Sequence, residues 1–492
     1  MKKMMKNILL LLVTTLFVGC NGFLDESSQD EVRPSQVSDL EQLLVGEGYQ
    51  EHQIFTTEIY TDELQSNGVT DTKYQSTQNA NRYYFRWDKN MFTEEAGGGG
   101  AHWVNAYKCI LGCNIVLDNI DKMGGDNNLR ENIRGEALVL RAWYYLHLVN
   151  LFGVAYNQGN PDEELGVPLK LSSEISVEYM RRNNVRQVYA QIEKDLLTGI
   201  KLLEEHKIER NFFRINHLAA KAILDRVYLY EQEWDKVIEY ANAILNEHGK
   251  LLNLNNIADQ SGGNGQLFHT VYSTDTPDEI LWARPLQEHH VVVSWNSKPP
   301  FTSSEKMPYD SDRVSYEQGN IRDLRSVYYF KWEDTWDMSS GTLGYYKHYR
   351  NKGNQSFGDL QGIRTAEVYL NRAEAYARKY EAGGDHANLQ LALNDLNELR
   401  RHRYATGTFT ELQSTDFRDA KELLSFCIEE RFRELHGETN NRWCDLRRCG
   451  LTVTHDFLDE KTVQTFTNDM SRYVLPIPQV ALEEDKLLIQ NP

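Results

Sequence analysis

The sequence predicts a mainly α-helical protein: a scaffold of stacked helix pairs in the tetratricopeptide style, interrupted by a long loop-rich, minor-β region suited to ligand binding. Two helix-pair segments resemble each other. Ala219–Tyr230 leads through Glu231–Glu233 to Trp234–Leu245, and Ala366–Tyr376 leads through Gly383-Gly384 to Asn388–Arg400. Each carries small residues (Ala222, Ala243; Ala373, Ala377) where two helices must approach closely, with Tyr228 and Trp234 filling the adjoining layer. Such a pair cannot bury its open face alone and needs a neighbour. The second observation is an almost wholly apolar run from Gly135 to Gly153, interrupted by Arg141 and His147. It is too short and too charged to span a bilayer and reads as a buried helix. The third is a change of texture over 251–362, where Gly, Ser, Asn, Asp and Pro become frequent and no 3.6-residue period persists.

Taken in order, the chain opens Met1-Lys-Lys-Met-Met-Lys, continues with an apolar stretch from Ile8 to Val18, and reaches Gly19-Cys20. A basic start, a short apolar segment and a small residue before cysteine mark a lipoprotein signal peptide over 1–19, although Phe17 stands where Leu is commonest. Cys20 is then the lipidated first residue of the mature chain, and Asn21–Glu31 its polar tether. Residues 20–250 form an N-terminal helical region, with helices at Trp103–Ile120, Gly135–Gly153 and Val185–Leu203. Residues 251–362 are the loop-rich ligand-binding insertion, with β-like runs at Glu279–Arg284, Val291–Trp295 and Tyr328–Trp332. Residues 363–492 form a C-terminal helical region. Irregular stretches also run from Asp62 to Gly100 and from Asp456 to the end, the latter with Leu475-Pro-Ile-Pro extended. Loops of such length are usually functional.

Composition removes several function classes. The formal net charge is −19, whereas nucleic-acid binders carry basic patches; no nucleic-acid partner is expected. Broad docking on an anionic membrane face is likewise unfavourable. Besides Cys20 there are Cys109, Cys113, Cys427, Cys444 and Cys449, and an odd count in an exported protein is no disulfide framework. Cys109 and Cys113, one helical turn apart, could supply half a metal site, but no His or Cys pair nearby completes it, so they read as core residues. There is no HExxH helix, no GxSxG elbow, no phosphate loop and no EF-hand loop. Gly97–Gly100 lacks the lysine and hydroxyl of a phosphate loop. His289 and His290 are adjacent, so on a strand they face opposite ways. No carboxylate pair stands out for glycoside hydrolysis. No catalytic residue, metal ligand or cofactor is assigned, and whether a calcium ion helps hold a ligand is left open.

Aromatic residues in the irregular regions carry more information. The chain has 27 Tyr and 9 Trp. Trp295, Tyr309, Trp332, Trp336, Tyr345 and Tyr346 cluster in the insertion; Tyr74, Tyr83, Tyr84 and Trp87 lie in the earlier stretch. Asn79, Asn81, Arg82, Asn296 and Asp310 are interleaved with them. A sugar ring has an apolar C–H face and a polar rim, so its site needs flat rings with fixed donors and acceptors around them. Tyr83, Trp87, Trp295, Tyr309, Trp332 and Trp336 are therefore the candidate glycan-binding residues.

Several segments together resemble the SusD/RagB family of Bacteroidetes outer-membrane lipoproteins. They are Cys20-Asn-Gly-Phe-Leu-Asp-Glu, Gly135-Glu-Ala-Leu-Val-Leu-Arg-Ala-Trp-Tyr-Tyr, Gly166–Leu169, Arg214-Ile-Asn and Ala366–Ala375. Glu429–Leu435 leading to Arg442-Trp-Cys-Asp-Leu-Arg-Arg, and Leu475-Pro-Ile-Pro-Gln, complete the order. His436 and Thr439-Asn440-Asn441 depart from the family's usual Phe-Glu-Gly-His-type turn. The resemblance implies a tetratricopeptide-like scaffold without catalysis, lipid-anchored and facing the cell exterior. It further implies capture of an oligosaccharide or polysaccharide beside a SusC-like TonB-dependent transporter. Some members bind peptides, so a peptide-binding lipoprotein is the main alternative, and a surface glycosidase a weaker one. Arg141, Arg372 and Arg431, on otherwise apolar helices, are expected to form buried ion pairs and not ligand contacts.

Overall fold

The computed structural model of the chain describes residues 34–49, 57–66, 75–96, 99–175, 178–257, 271–272, 277–286, 296–297, 323–337, 342–350, 359–457, 460–466 and 473–492. Cys20, Trp295, Tyr309 and the His289-His290 pair lie outside the described residues.

The described chain begins with α1 (Val37–Leu43), a short strand β1 (Leu64–Gln65) and two short helices, α2 (Gln75–Ala80) and α3 (Arg82–Phe85). Long helices follow: α4 (Ala101–Asn119), α5 (Asn127–Phe152), α6 (Val185–Glu205), α7 (His217–Glu231) and α8 (Trp234–Glu247). The loop-rich region contributes β2 (Ile280–Leu286), β3 (Asn296–Ser297), α9 (Arg325–Tyr328), β4 (Phe330–Asp337), β5 (Thr342–Arg350) and β6 (Asp359–Arg364). The chain then returns to helices α10 (Thr365–Gly383), α11 (His386–Arg401), α12 (Ala420–Leu435) and α13 (Asn441–Cys449). It closes with the hairpin β7 (Val453–Phe457) and β8 (Glu460–Phe466) and the short α14 (Gln479–Glu484).

Successive long helices pack side by side from α4 to α8, and α10 continues the stack against both α7 and α8 before pairing with α11 and α12. Every residue of α5 from Gly135 to Phe152 is buried, because helices α4, α6 and α7 cover it on separate sides. It begins eight residues before the apolar run, capped by the Asp126 side chain accepting from the Leu129 amide at 2.7 Å. Its first two turns are mostly polar, with Leu129 and Ile133 the only apolar residues, both turned to the core. Helix α6 starts on a capping box between Asn184 and Gln187, which satisfies amides that have no intrahelical partner. Gln232 ends α7 in the left-handed region, φ 64°, and turns the chain directly into α8.

Arginines stitch these helices together. Arg141 grips Asp195 with two bonds of 2.8 and 2.9 Å between α5 and α6. Arg226 grips Glu367 at 2.7 and 2.6 Å between α7 and α10. Arg372 binds Asp395 at 2.9 and 2.6 Å between α10 and α11, and Arg431 reaches Asp445 at 3.2 Å between α12 and α13. The buried-pair expectation matches the geometry for Arg141 and Arg431, while Arg372 forms its pair only partly buried. Two-pronged bonds of this kind fix register as well as distance.

The loop-rich region is rooted in the scaffold by the antiparallel pair β2–β6. Trp282 of β2 meets Trp143 of α5 edge-on at 5.3 Å. On β6, opposite Ala283, a Cβ at Gly362 would lie 1.8 Å from the Trp282 carbonyl oxygen, so only glycine lets the two strands close there. A small apolar cluster of Leu254, Val271, Tyr272, Ile280, Ala283 and Tyr329 sits beneath. Beside it lies a wholly buried ion network. Arg403 joins Glu279 at 2.8 Å and Glu434 at 3.0 Å; Arg364 joins Glu434 at 2.9 Å and Glu438 at 2.6 Å; Arg325 joins Asp323 at 2.7 Å and Glu430 at 2.8 Å. Burial alone would raise the Glu434 carboxyl, but the guanidiniums of Arg403, Arg364 and Arg325 hold it well below the ordinary range. The network clamps the base of the loop-rich region to α12.

Candidate functional site

The segment from Thr57 to Ser66 organises the elements that carry the candidate rings. Leu64 and Gln65 of β1 pair with Ser297 and Asn296 of β3, joining the early irregular stretch to the insertion. β3 also lies against β5, β1 lies against β7, and β7 against α3. β5 pairs with β4, setting Trp332 opposite His348 and Trp336 opposite Leu343, with a bulge between. One contiguous group of short elements therefore holds Tyr83 and the strand positions of Trp332 and Trp336. β3 begins at the residue after Trp295.

The rings of the early stretch divide into two kinds. Trp87 is an interior residue, 9% exposed. Its ring stacks on His455 at 4.2 Å, and Phe85 covers the same imidazole at 4.0 Å. Its Nε1–H donates to the Tyr60 carbonyl at 3.0 Å. With one face on His455 and its polar edge bonded internally, Trp87 supports the loop from below and does not present an open face for a sugar. The backbone pays a conformational penalty there, at φ 49°, a region bulky side chains rarely adopt. Tyr83, by contrast, is half-buried. Arg82 donates through Nη2 to its phenolic oxygen at 3.0 Å, and the guanidinium carbon stands 4.7 Å from its ring centroid. Asn79 and Arg82 are exposed around it.

Charged groups behind these rings were not singled out by the sequence reading. Glu63 is buried and accepts from the Gly437 amide at 2.6 Å and the Thr61 hydroxyl at 2.8 Å. Burial, reinforced by the neighbouring Glu58, pushes its carboxyl up to about 8 against those two bonds. Next to it, Arg442 clasps Asp62 at 2.7 and 2.6 Å. His455 is held between carbonyl oxygens of Phe85 at 2.7 Å and Thr61 at 2.6 Å. Thr439 occupies a left-handed conformation, φ 50°, inside the turn where the chain departs from the family pattern. No periodicity signals the contacts to Gly437, Arg442 and His455, since each joins residues hundreds of positions apart.

Other motifs resolve into packing. Gly100 caps the start of α4 at φ 121°, against the Pro478 ring, so the described end of the glycine run serves a turn. Cys109, Cys113, Cys427 and Cys444 are buried, and burial pushes the Cys109 thiol up to about 11. Among the described residues no group of three or more His, Cys, Asp or Glu is placed to hold a metal ion. None of the described helices is long and apolar enough to cross a membrane. A cleft of about 180 Å³ lies between the end of α6 and the start of α7, away from the aromatic elements. Its charges are taken up internally: Glu247 meets His217 at 2.8 Å and Lys207 at 3.3 Å, and Arg214 meets Glu136 at 2.8 Å.

Comparison with known proteins agrees with this arrangement. Residues 22–229 match a SusD-like family model described as starch-binding and associating with the outer membrane, and residues 263–492 match the SusD family model. SusD-like protein P2 of Formosa agariphila is 26% identical over 442 residues, covering 82% of this chain and 83% of its own. SusD-like protein P25 of the same organism is 24% identical, covering 79% and 78%. A SusD-like carbohydrate binding protein from Bacteroides vulgatus has the same fold, with a TM-score of 0.65 at 21% identity, covering 92% of this chain and 97% of that one. A second SusD superfamily protein from that organism gives 0.67 at 18% identity, covering 93% and 99%. The helical stack, the order of the motifs and the two family matches coincide over most of the sequence: the chain belongs to the SusD/RagB family of substrate-binding, non-catalytic proteins.

Proposed function

We propose that this protein is a cell-surface lipoprotein, anchored in the outer membrane through Cys20, that captures an oligosaccharide or polysaccharide and passes it to a SusC-like TonB-dependent transporter. Family membership over 22–229 and 263–492 is the observation that carries this reading. The gathering of Tyr83, β3, β4 and β5 on one group of short elements supports it. Tyr83, Trp295, Tyr309, Trp332 and Trp336 are the proposed ligand-facing residues, and Trp87 holds their neighbourhood from the interior. A rigid helical stack presenting short, variable elements suits recognition: the scaffold limits the entropy lost on binding, and the elements set specificity.

The test is a glycan array probed with soluble protein beginning at Asn21, with a peptide library alongside and a reducing-end assay on every glycan that binds. Glycan binding without new reducing ends is expected. Peptide binding in place of glycan, or turnover of a bound glycan, would overturn the proposal.

A further inference from the structure

We infer that the glycan bound at this site is acidic, bearing carboxylate or sulfate groups that the Arg82 guanidinium receives. The inference rests on the glycan-capture reading and narrows it. A sugar could stack on Tyr83 only on the face that Arg82 leaves uncovered, since the Arg82 guanidinium lies over the ring, 4.7 Å from its centroid. The same guanidinium is tied to the phenolic oxygen at 3.0 Å. What this position offers a ligand is thus a pinned cation with a planar fork, the geometry that suits carboxylate and sulfate oxygens. Arg82 is exposed and forms no ion pair among the described residues.

Its surroundings have the same sign. Arg86 follows one turn later, its amide bonded to the Arg82 carbonyl at 3.0 Å, and Lys89 is exposed beyond it. Between Arg82 and Lys89 the one acid, Asp88, accepts from the Asn90 amide at 2.8 Å. A chain of net charge −19 repels a polyanion at long range. A local cation is then the means by which it could hold one, and Arg82 sits beside a candidate ring, Tyr83.

The experiment starts from the tightest glycan found on an array that contains uronate-bearing, sulfated and neutral oligosaccharides. Calorimetry then compares that glycan with its carboxyl-reduced or desulfated counterpart, on the wild-type soluble chain and on Arg82→Gln and Arg82→Lys. The expected result is an acidic binder whose affinity falls about tenfold or more when its charge is removed, and by about as much in Arg82→Gln. Arg82→Lys should retain part of the affinity, and added salt should weaken wild-type binding more than that of Arg82→Gln. Arg82 is a surface residue, so circular dichroism should report an unchanged fold in both variants. A chain that binds only neutral glycans keeps the capture function and overturns this inference. An acidic binder whose affinity is unchanged in Arg82→Gln also overturns it. Binding of acidic peptides with no glycan at all overturns both readings.

Discussion

Two neighbouring aromatics, Tyr83 and Trp87, have opposite fates within five residues. Trp87 packs on His455 and bonds the Tyr60 carbonyl, while Tyr83 lies at the surface under Arg82. Trp87→Ala should therefore lower unfolding free energy by about 3–5 kcal/mol in urea denaturation, as truncation of a buried large ring does; a loss below about 1 kcal/mol would contradict the interior placement. Glu63 makes a second prediction. Its folded carboxyl is raised to about 8 from an ordinary 4.5, so the folded state binds this proton more tightly than the unfolded chain. The associated stability is fully present below about pH 4.5 and is lost as pH rises through about 8. Glu63→Gln, which keeps an oxygen for the Gly437 amide, should flatten the fall in melting temperature between those limits; an unchanged pH slope would count against it. The sequence placed both rings in an irregular stretch and could not separate them, because burial there depends on β7, some 370 residues away. Spacing marks Arg82 only as a polar neighbour of Tyr83, since its position over the ring is a matter of rotamer.

At the level of elements, the long helices were legible because each carries an apolar period over several turns. α4, α6, α7, α8 and α11 begin and end within two or three residues of the expected limits, where caps and not periodicity decide the boundary, while α10 runs seven residues past Tyr376 to Gly383. α1, α2 and α3 were not legible: at 7, 6 and 4 residues they are too short to show a repeat. β2 and the start of β4 were visible as β-like runs, but Tyr328 closes α9 and does not begin a strand. The helix-to-helix arginines yield a test of how the stack is held. Glu367→Ala alone strands Arg226 in the interior and should cost about 3–5 kcal/mol. Arg226→Met with Glu367→Leu removes both charges and should recover most of that loss in a denaturation cycle. A double variant as unstable as the single one would mean that the pair contributes more than the absence of an unpaired charge.

For the molecule as a whole, the scaffold follows from helix pairs that bury one another, and the loop-rich region is fastened to it by β2–β6 and the Arg364–Arg403–Glu434 network. That network was invisible in the sequence because its members come from the insertion, the α11 terminus and α12. The aromatic content of the insertion was legible; the strand pairing that brings β3 to β1 was not, since it joins residues 64 and 297. At the cellular scale, Cys20→Ala should leave folding and glycan binding intact in solution while abolishing glycan uptake by cells, measured as growth on that glycan. Undiminished growth would show the anchor to be dispensable. The most direct test of the central claim, that the grouped short elements bind the glycan, is calorimetry of the array-selected glycan with single alanine variants at Tyr83, Trp295, Tyr309, Trp332 and Trp336. At least one should weaken binding by about 2 kcal/mol, roughly thirtyfold in Kd. All five binding within about twofold of wild type, less than 0.5 kcal/mol, would contradict the account.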